Sequence, residues 1–142
     1  MNQKSILAVL ALTVFTAGCT AVTVQPVANL AEILHVCIQE NPKVMVSDFV
    51  PVLEDSFKQY GISTERVSSI PPHCEYVLTY SARRSWDITP YLSQAELTLL
   101  KDKRPVASAS YHLRGKGGLA LNKWASTDSK IRPVVDELLT GK

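Results

Sequence analysis

The sequence is poor in the signatures that announce an enzyme. It has no Gly-x-Ser-x-Gly turn, no His-Glu-x-x-His helix and no Cys-x-x-Cys pair, which sets aside the common serine hydrolases, the zinc peptidases of that pattern and dithiol redox chemistry. The three histidines, His35, His73 and His112, are scattered. Gly115-Lys116-Gly117-Gly118 lacks the spacing and the following Ser or Thr of a phosphate-binding loop and reads as a turn. Ser108, Ser110 and His112 alternate along one segment, a pattern that a solvated sheet face explains without invoking a nucleophile and base. Long apolar runs are missing too. The stretch Ile6 to Ala17 is uncharged but short of the ~20 residues that cross a hydrocarbon core of ~30 Å. Cysteine is sparse, with Cys19, Cys37 and Cys74 only.

What is present starts at the N-terminus. Lys4, the apolar run and Gly18 form a basic start, a short apolar core and a small-residue cleavage site, the layout of a signal peptide over residues 1–18. Thr16-Ala17-Gly18-Cys19 resembles the bacterial lipobox, with Thr16 where Leu is commoner. The resemblance implies that Cys19 carries a diacylglycerol thioether and palmitate and becomes the first mature residue. Thr20 after it, in place of an aspartate, implies the periplasmic face of the outer membrane. An ordinary secretory cut near Ala21 is the alternative.

Cysteine parity agrees, since an exported chain with an odd count leaves one thiol over and lipidation of Cys19 removes it. Cys37 and Cys74 are then expected as a disulfide in an oxidising compartment. Two buried free thiols, or a metal pair completed by His35 and His73, are the weaker alternatives, and no metal or cofactor is expected.

About 124 residues remain after cleavage, enough for one core. Residues 19–30 mix Thr, Val, Gln and Pro26 without a clean period and read as a lipidated N-terminus and tether, leaving a single domain over 31–142. Alternating patterns predict strands at Ile33 to Gln39, Ser63 to Ser69, Glu75 to Arg83, Tyr91 to Lys101 and Arg104 to Leu113. Helical spacing predicts Asp48 to Tyr60, stopped by Gly61, and Ser129 to Thr140, stopped by Gly141. The order β-α-β-β-β-β-α predicts an α+β two-layer sandwich, a mainly antiparallel sheet of four or five strands with both helices on one face. A Cys37–Cys74 bond places the first and third strands side by side, expected as antiparallel.

Cys37-Ile38-x-x-Asn41-Pro42, Tyr76 to Ala82, Trp86-Asp87, Ala95-Glu96-Leu97 and Lys123-Trp124 together resemble a family of small proteobacterial envelope lipoproteins over nearly the whole mature chain. The resemblance carries no catalytic residue. The element order is also similar to envelope lipoproteins that serve as assembly factors or activators, a likeness of fold only.

Charge is unevenly spread although the net charge is +2. From Lys101 to Arg132 eight basic residues face two acidic ones, while Cys19 to Leu100 holds five basic against nine acidic. Lys101, Lys103, Arg104, Arg114 and Lys116 therefore form a candidate surface for an anionic envelope polymer. Arg83, Arg84, Trp86 and Trp124 are of the residue types enriched at protein interfaces and form a second candidate. Nucleic acid is disfavoured by compartment. Two functions follow: a non-enzymatic lipoprotein that binds an envelope protein or polymer, or a small envelope hydrolase or carbohydrate-active enzyme using an unrecognised carboxylate such as Asp87 or Glu75.

Overall fold

A computed structural model describes residues 20–114 and 121–142. Its central unit is a β-α-β crossover. Strand β2, His35–Gln39, leads through helix α1, Phe49–Lys58, to β3, Ser63–Val67, which pairs with β2 in parallel. Phe49, Val52, Leu53 and Phe57 bury one stripe of α1. Pro51 falls within the first turn, where no intrahelical partner for its nitrogen is needed. Gly61, at φ +72°, supplies the left-handed residue that turns the chain out of the helix.

Three long strands continue the sheet as an antiparallel meander: β4, Tyr76–Asp87, β5, Thr89–Lys101, and β6, Arg104–Leu113. Helix α2, Thr127–Thr140, closes the domain, with Ser126 Oγ accepting from the Ser129 amide at its start and Gly141 at its end. The main core lies between the sheet and both helices. Val36, Ile38, Leu78, Leu97, Leu99, Ala107 and Ala109 face Phe49, Leu53, Phe57, Ile131, Val135 and Leu138 across it. The α+β sandwich with two helices on one face is the architecture expected.

Two expectations are corrected. Residues 20–25, read as tether, form strand β1, Thr20–Gln25, which pairs antiparallel with β6 and takes the edge of a six-stranded mixed sheet ordered β1-β6-β5-β4-β2-β3. The folded unit therefore reaches back to residue 20, not 31. Only Val22 and Val24 supply apolar alternation there, and Val22 stays 43% exposed, so the periodic signal is faint.

The second concerns direction. Cys37 and Cys74 are bonded, with Cα atoms 5.9 Å apart, but β2 and β4 run parallel. A disulfide fixes distance and is indifferent to strand sense. The sense is set by the chain after β3, which crosses the sheet face opposite the helices and packs Cys74 with Cys37, Val67 and Val77 in a small second cluster.

Candidate functional site

Strand register divides the candidate residues between two ends of the sheet. Thr20 opposes Leu113, so β1 begins where β6 ends, and Gln94 opposes both His112 and Arg83 in the same row. Beyond that row, among the described strands, the β4–β5 hairpin projects furthest, by four residues of β4, or about 13 Å of extended chain. Arg83, Arg84, Trp86, Trp124 and Arg114 all lie at this upper end. Lys101, Lys103 and Arg104 lie at the lower end, around the β5–β6 turn. The two groups do not form one surface. Lys116 and Cys19 fall outside the described residues.

The upper tip is built to hold apolar side chains outward. Trp86 is 71% and Ile88 82% exposed, with Trp124 beside them at 41%. Trp124 Nε1 donates to the Asp87 carbonyl at 2.9 Å, and the Lys123 ammonium pairs with the Asp87 carboxylate. The tip's one acidic side chain is thereby neutralised. Lys123 is itself buried and lies 4.6 Å from the centre of the Trp124 ring and 5.6 Å from that of Tyr91. Below it Lys130 Nζ donates to the carbonyls of Leu92 and Lys123, and burial lowers its pKa from the ordinary lysine value.

Ile88 has φ +63°. A β-branched residue in that region is strained by roughly 1–2 kcal/mol, where Gly or Asn would sit at little cost. Ile88 was not singled out from the sequence, where nothing marks the residue between Asp87 and Thr89 as the tip of a turn. Arg83 and Arg84 lie just below the tip, beside a bulge, and Arg84 Nη2 reaches Asp48 Oδ1 at 3.7 Å.

At the lower end much of the basic excess is taken up. Lys101 Nζ lies 3.4 Å from both Glu32 and Glu75, and its pKa is raised by hydrogen bonding to Tyr76 first, then to those carboxylates. Away from this end, Arg132 pairs with Asp128 on α2, and Lys123 and Lys130 below the upper tip are buried. Lys103 and Arg104 remain exposed. Beside them Ile70, Pro71, Pro72, Val77 and Leu100 line a shallow apolar groove of about 620 Å³, with Lys103 at its rim.

The hydrolase candidates do not converge. Asp87 sits at the upper tip with Lys123 and Glu75 at the lower end with Lys101. Ser108, Ser110 and His112 lie on the sheet face away from the helices, opposite Thr98, Glu96 and Gln94 of β5.

No protein-family model matches the chain, and no curated protein matches it in sequence. Solved structures do. The PelC dodecamer from Paraburkholderia phytofirmans superposes with a TM-score of 0.57 at 13% identity, covering 84% of this chain and 96% of that one. A substituted form of the same PelC dodecamer gives 0.52 at 14%, covering 81% and 96%. The likeness is one of fold. A minor lipoprotein from Acinetobacter baumannii, 16% identical over 75% of this chain and 85% of that one, superposes at a TM-score of only 0.32, too loosely to argue from.

Proposed function

We propose that the chain is a lipid-anchored envelope protein that acts by binding and not by catalysis, held through Cys19 at the periplasmic face of the outer membrane. In this reading the upper end rests on the bilayer, and the lower end is offered to an envelope protein or an anionic envelope polymer. One observation carries the proposal: the strand that follows the lipobox cysteine begins at the end of the sheet where Trp86, Ile88 and Trp124 are exposed. With β1 starting at Thr20 no slack separates anchor from fold, so a lipid on Cys19 brings this end to the membrane. Indole rings favour the headgroup level, a protruding isoleucine reaches the acyl boundary, and Arg83, Arg84 and Arg114 nearby suit anionic headgroups. The strained Ile88 fits a tip whose apolar exposure is needed. The PelC neighbour, a dodecamer, is a precedent for this fold in an assembly.

The chain's two tryptophans are both at the tip, so tryptophan fluorescence, excited beyond the tyrosine band, reads that site alone. The full-length acylated protein, its Cys19 mass verified, is reconstituted in phosphatidylethanolamine–phosphatidylglycerol vesicles with and without brominated acyl chains. Quenching by the brominated lipid is expected, and Ile88→Asn should reduce it while leaving the domain as stable or about 1 kcal/mol more stable, because the strain is relieved. Unquenched tryptophans on an acylated protein would overturn the membrane seating and leave the tip to a protein partner.

A further inference from the structure

His35 opens β2, Glu65 stands on the neighbouring edge strand β3 and His73 comes from the chain that crosses toward β4. Folding brings these three together on the sheet face opposite the helices. One carboxylate oxygen, Glu65 Oε2, lies 2.9 Å from His73 Nε2 and 3.4 Å from His35 Nε2. Donor atoms around a tetrahedral zinc ion with bonds of about 2.0–2.1 Å are separated by about 3.3 Å, so little movement is needed to admit an ion. Among the described residues this cluster, with Cys37, is the group whose metal-ligating atoms all lie within 4.8 Å of one another.

The second ring nitrogen of His35 supplies an independent argument. His35 Nδ1 lies 2.7 Å from Ser63 Oγ, and Ser63 Oγ donates its own proton to the Leu34 carbonyl at 3.2 Å. When that serine proton stays on Leu34, the serine oxygen accepts from the ring and the ring proton sits on Nδ1. That leaves the Nε2 lone pair of a neutral His35 aimed at a carboxylate. Two electron-rich atoms at that separation repel unless a cation, a proton or a metal ion, sits between them. A histidine whose far nitrogen is held by an outer hydrogen bond is also the usual arrangement of a metal ligand. Cys37 Sγ is 3.8 Å from His35 Nε2, but it is bonded to Cys74 and offers no thiolate.

We propose that His35 Nε2, His73 Nε2 and a carboxylate oxygen of Glu65 bind one divalent transition-metal ion, with Zn²⁺ as the matching case and water in the fourth position. Two imidazoles and one carboxylate suit zinc or copper, whereas calcium and magnesium take oxygen ligands. The side chains are 39%, 58% and 44% exposed in the order His35, His73, Glu65, so the ion has an open entry path. Bound there, it joins β2, edge strand β3 and the crossing segment beside the disulfide.

The test uses the full-length protein in detergent, with the disulfide intact and metal stripped by chelator, titrated calorimetrically with ZnCl₂ alone. One equivalent should bind. His35→Gln, His73→Gln and Glu65→Gln should each weaken binding at least tenfold, and Ser63→Ala should weaken it less. His112→Gln, on β6 outside the cluster, should bind as the wild type does. Thermal unfolding without zinc verifies that each variant folds, and zinc should raise the wild-type midpoint but not theirs. Should a variant not fold, histidine ring resonances of the wild type decide: zinc should shift those of His35 and His73 and spare His112. No saturable binding at one equivalent, binding that survives the triple substitution, or shifts confined to His112 would overturn the site.

Discussion

Opening the Cys37–Cys74 bond should remove a large part of this domain's stability. The bridge closes a loop of sequence separation 37 between the middle of β2 and the approach to β4. On the chain-entropy relation, a loop of that length contributes about 4 kcal/mol by restricting the unfolded ensemble. A domain of this size has marginal stability of about 5–15 kcal/mol, so the bond accounts for a substantial share. Reduction with the native sequence deletes no atoms and should cost that amount alone. Cys37→Ala with Cys74→Ala also removes two sulfurs from the cluster formed with Val67 and Val77, and should cost about 1 kcal/mol more. Alanine is the informative replacement, since Cys37 is completely buried and a serine hydroxyl would add the penalty of an unpaired polar group. Urea unfolding of the oxidised, reduced and Ala/Ala forms measures the differences, and they should come as shifts in midpoint. A loss below about 1 kcal/mol on reduction would refute the loop-entropy argument and mean that the β2–β4 contact persists in the unfolded chain.

Two further substitutions probe how the edges of the fold are held. Glu54 on α1 accepts two hydrogen bonds from Arg66 of β3, at 2.7 and 2.6 Å, and this pairing lowers its pKa below the ordinary glutamate value. A carboxylate depressed in the folded state stabilises above its unfolded pKa and loses that contribution as pH falls through the folded one. Glu54→Gln should therefore cost about 1 kcal/mol at pH 7, with the gap closing below about pH 4 in urea midpoints; a gap unchanged at pH 3 would refute the assignment. Pro133, exposed and inside α2, deprives the Ser129 carbonyl of its helical partner. Pro133→Ala should raise stability by about 1–2 kcal/mol, read as a higher thermal midpoint, and a fall would show that the proline is needed for packing.

The parts of this fold that were legible in the sequence are those whose periodicity is long. Tyr76, Leu78, Tyr80 and Ala82, or Val134, Val135, Leu138 and Leu139, repeat often enough for period to identify element and buried face. β1 was not legible, because two valines cannot establish a period, and its partner β6 lies far along the chain. The pairing of Cys37 with Cys74 could be argued from compartment and parity, yet parallel pairing could not, since direction depends on the route of the connecting chain.

The same limit explains what was seen of the two sites. His35 and His73 were visible as residues near the cysteines, but Glu65, the ligand that joins them, is 30 positions from one and 8 from the other. Only the parallel β2–β3 pairing sets Glu65 opposite Cys37, one strand away from His35 and on the same face. The upper tip shows the converse. Trp86 and Trp124 were notable by type alone, while the side chain that makes the tip unusual is Ile88, ordinary in sequence and informative only once its positive φ and exposure are known. A sequence under selection for stability alone would place Gly or Asn there. An outward-pointing isoleucine in a strained turn, beside a carboxylate neutralised by a buried lysine and at the end where β1 begins, is the combination expected where an apolar tip must meet an apolar surface.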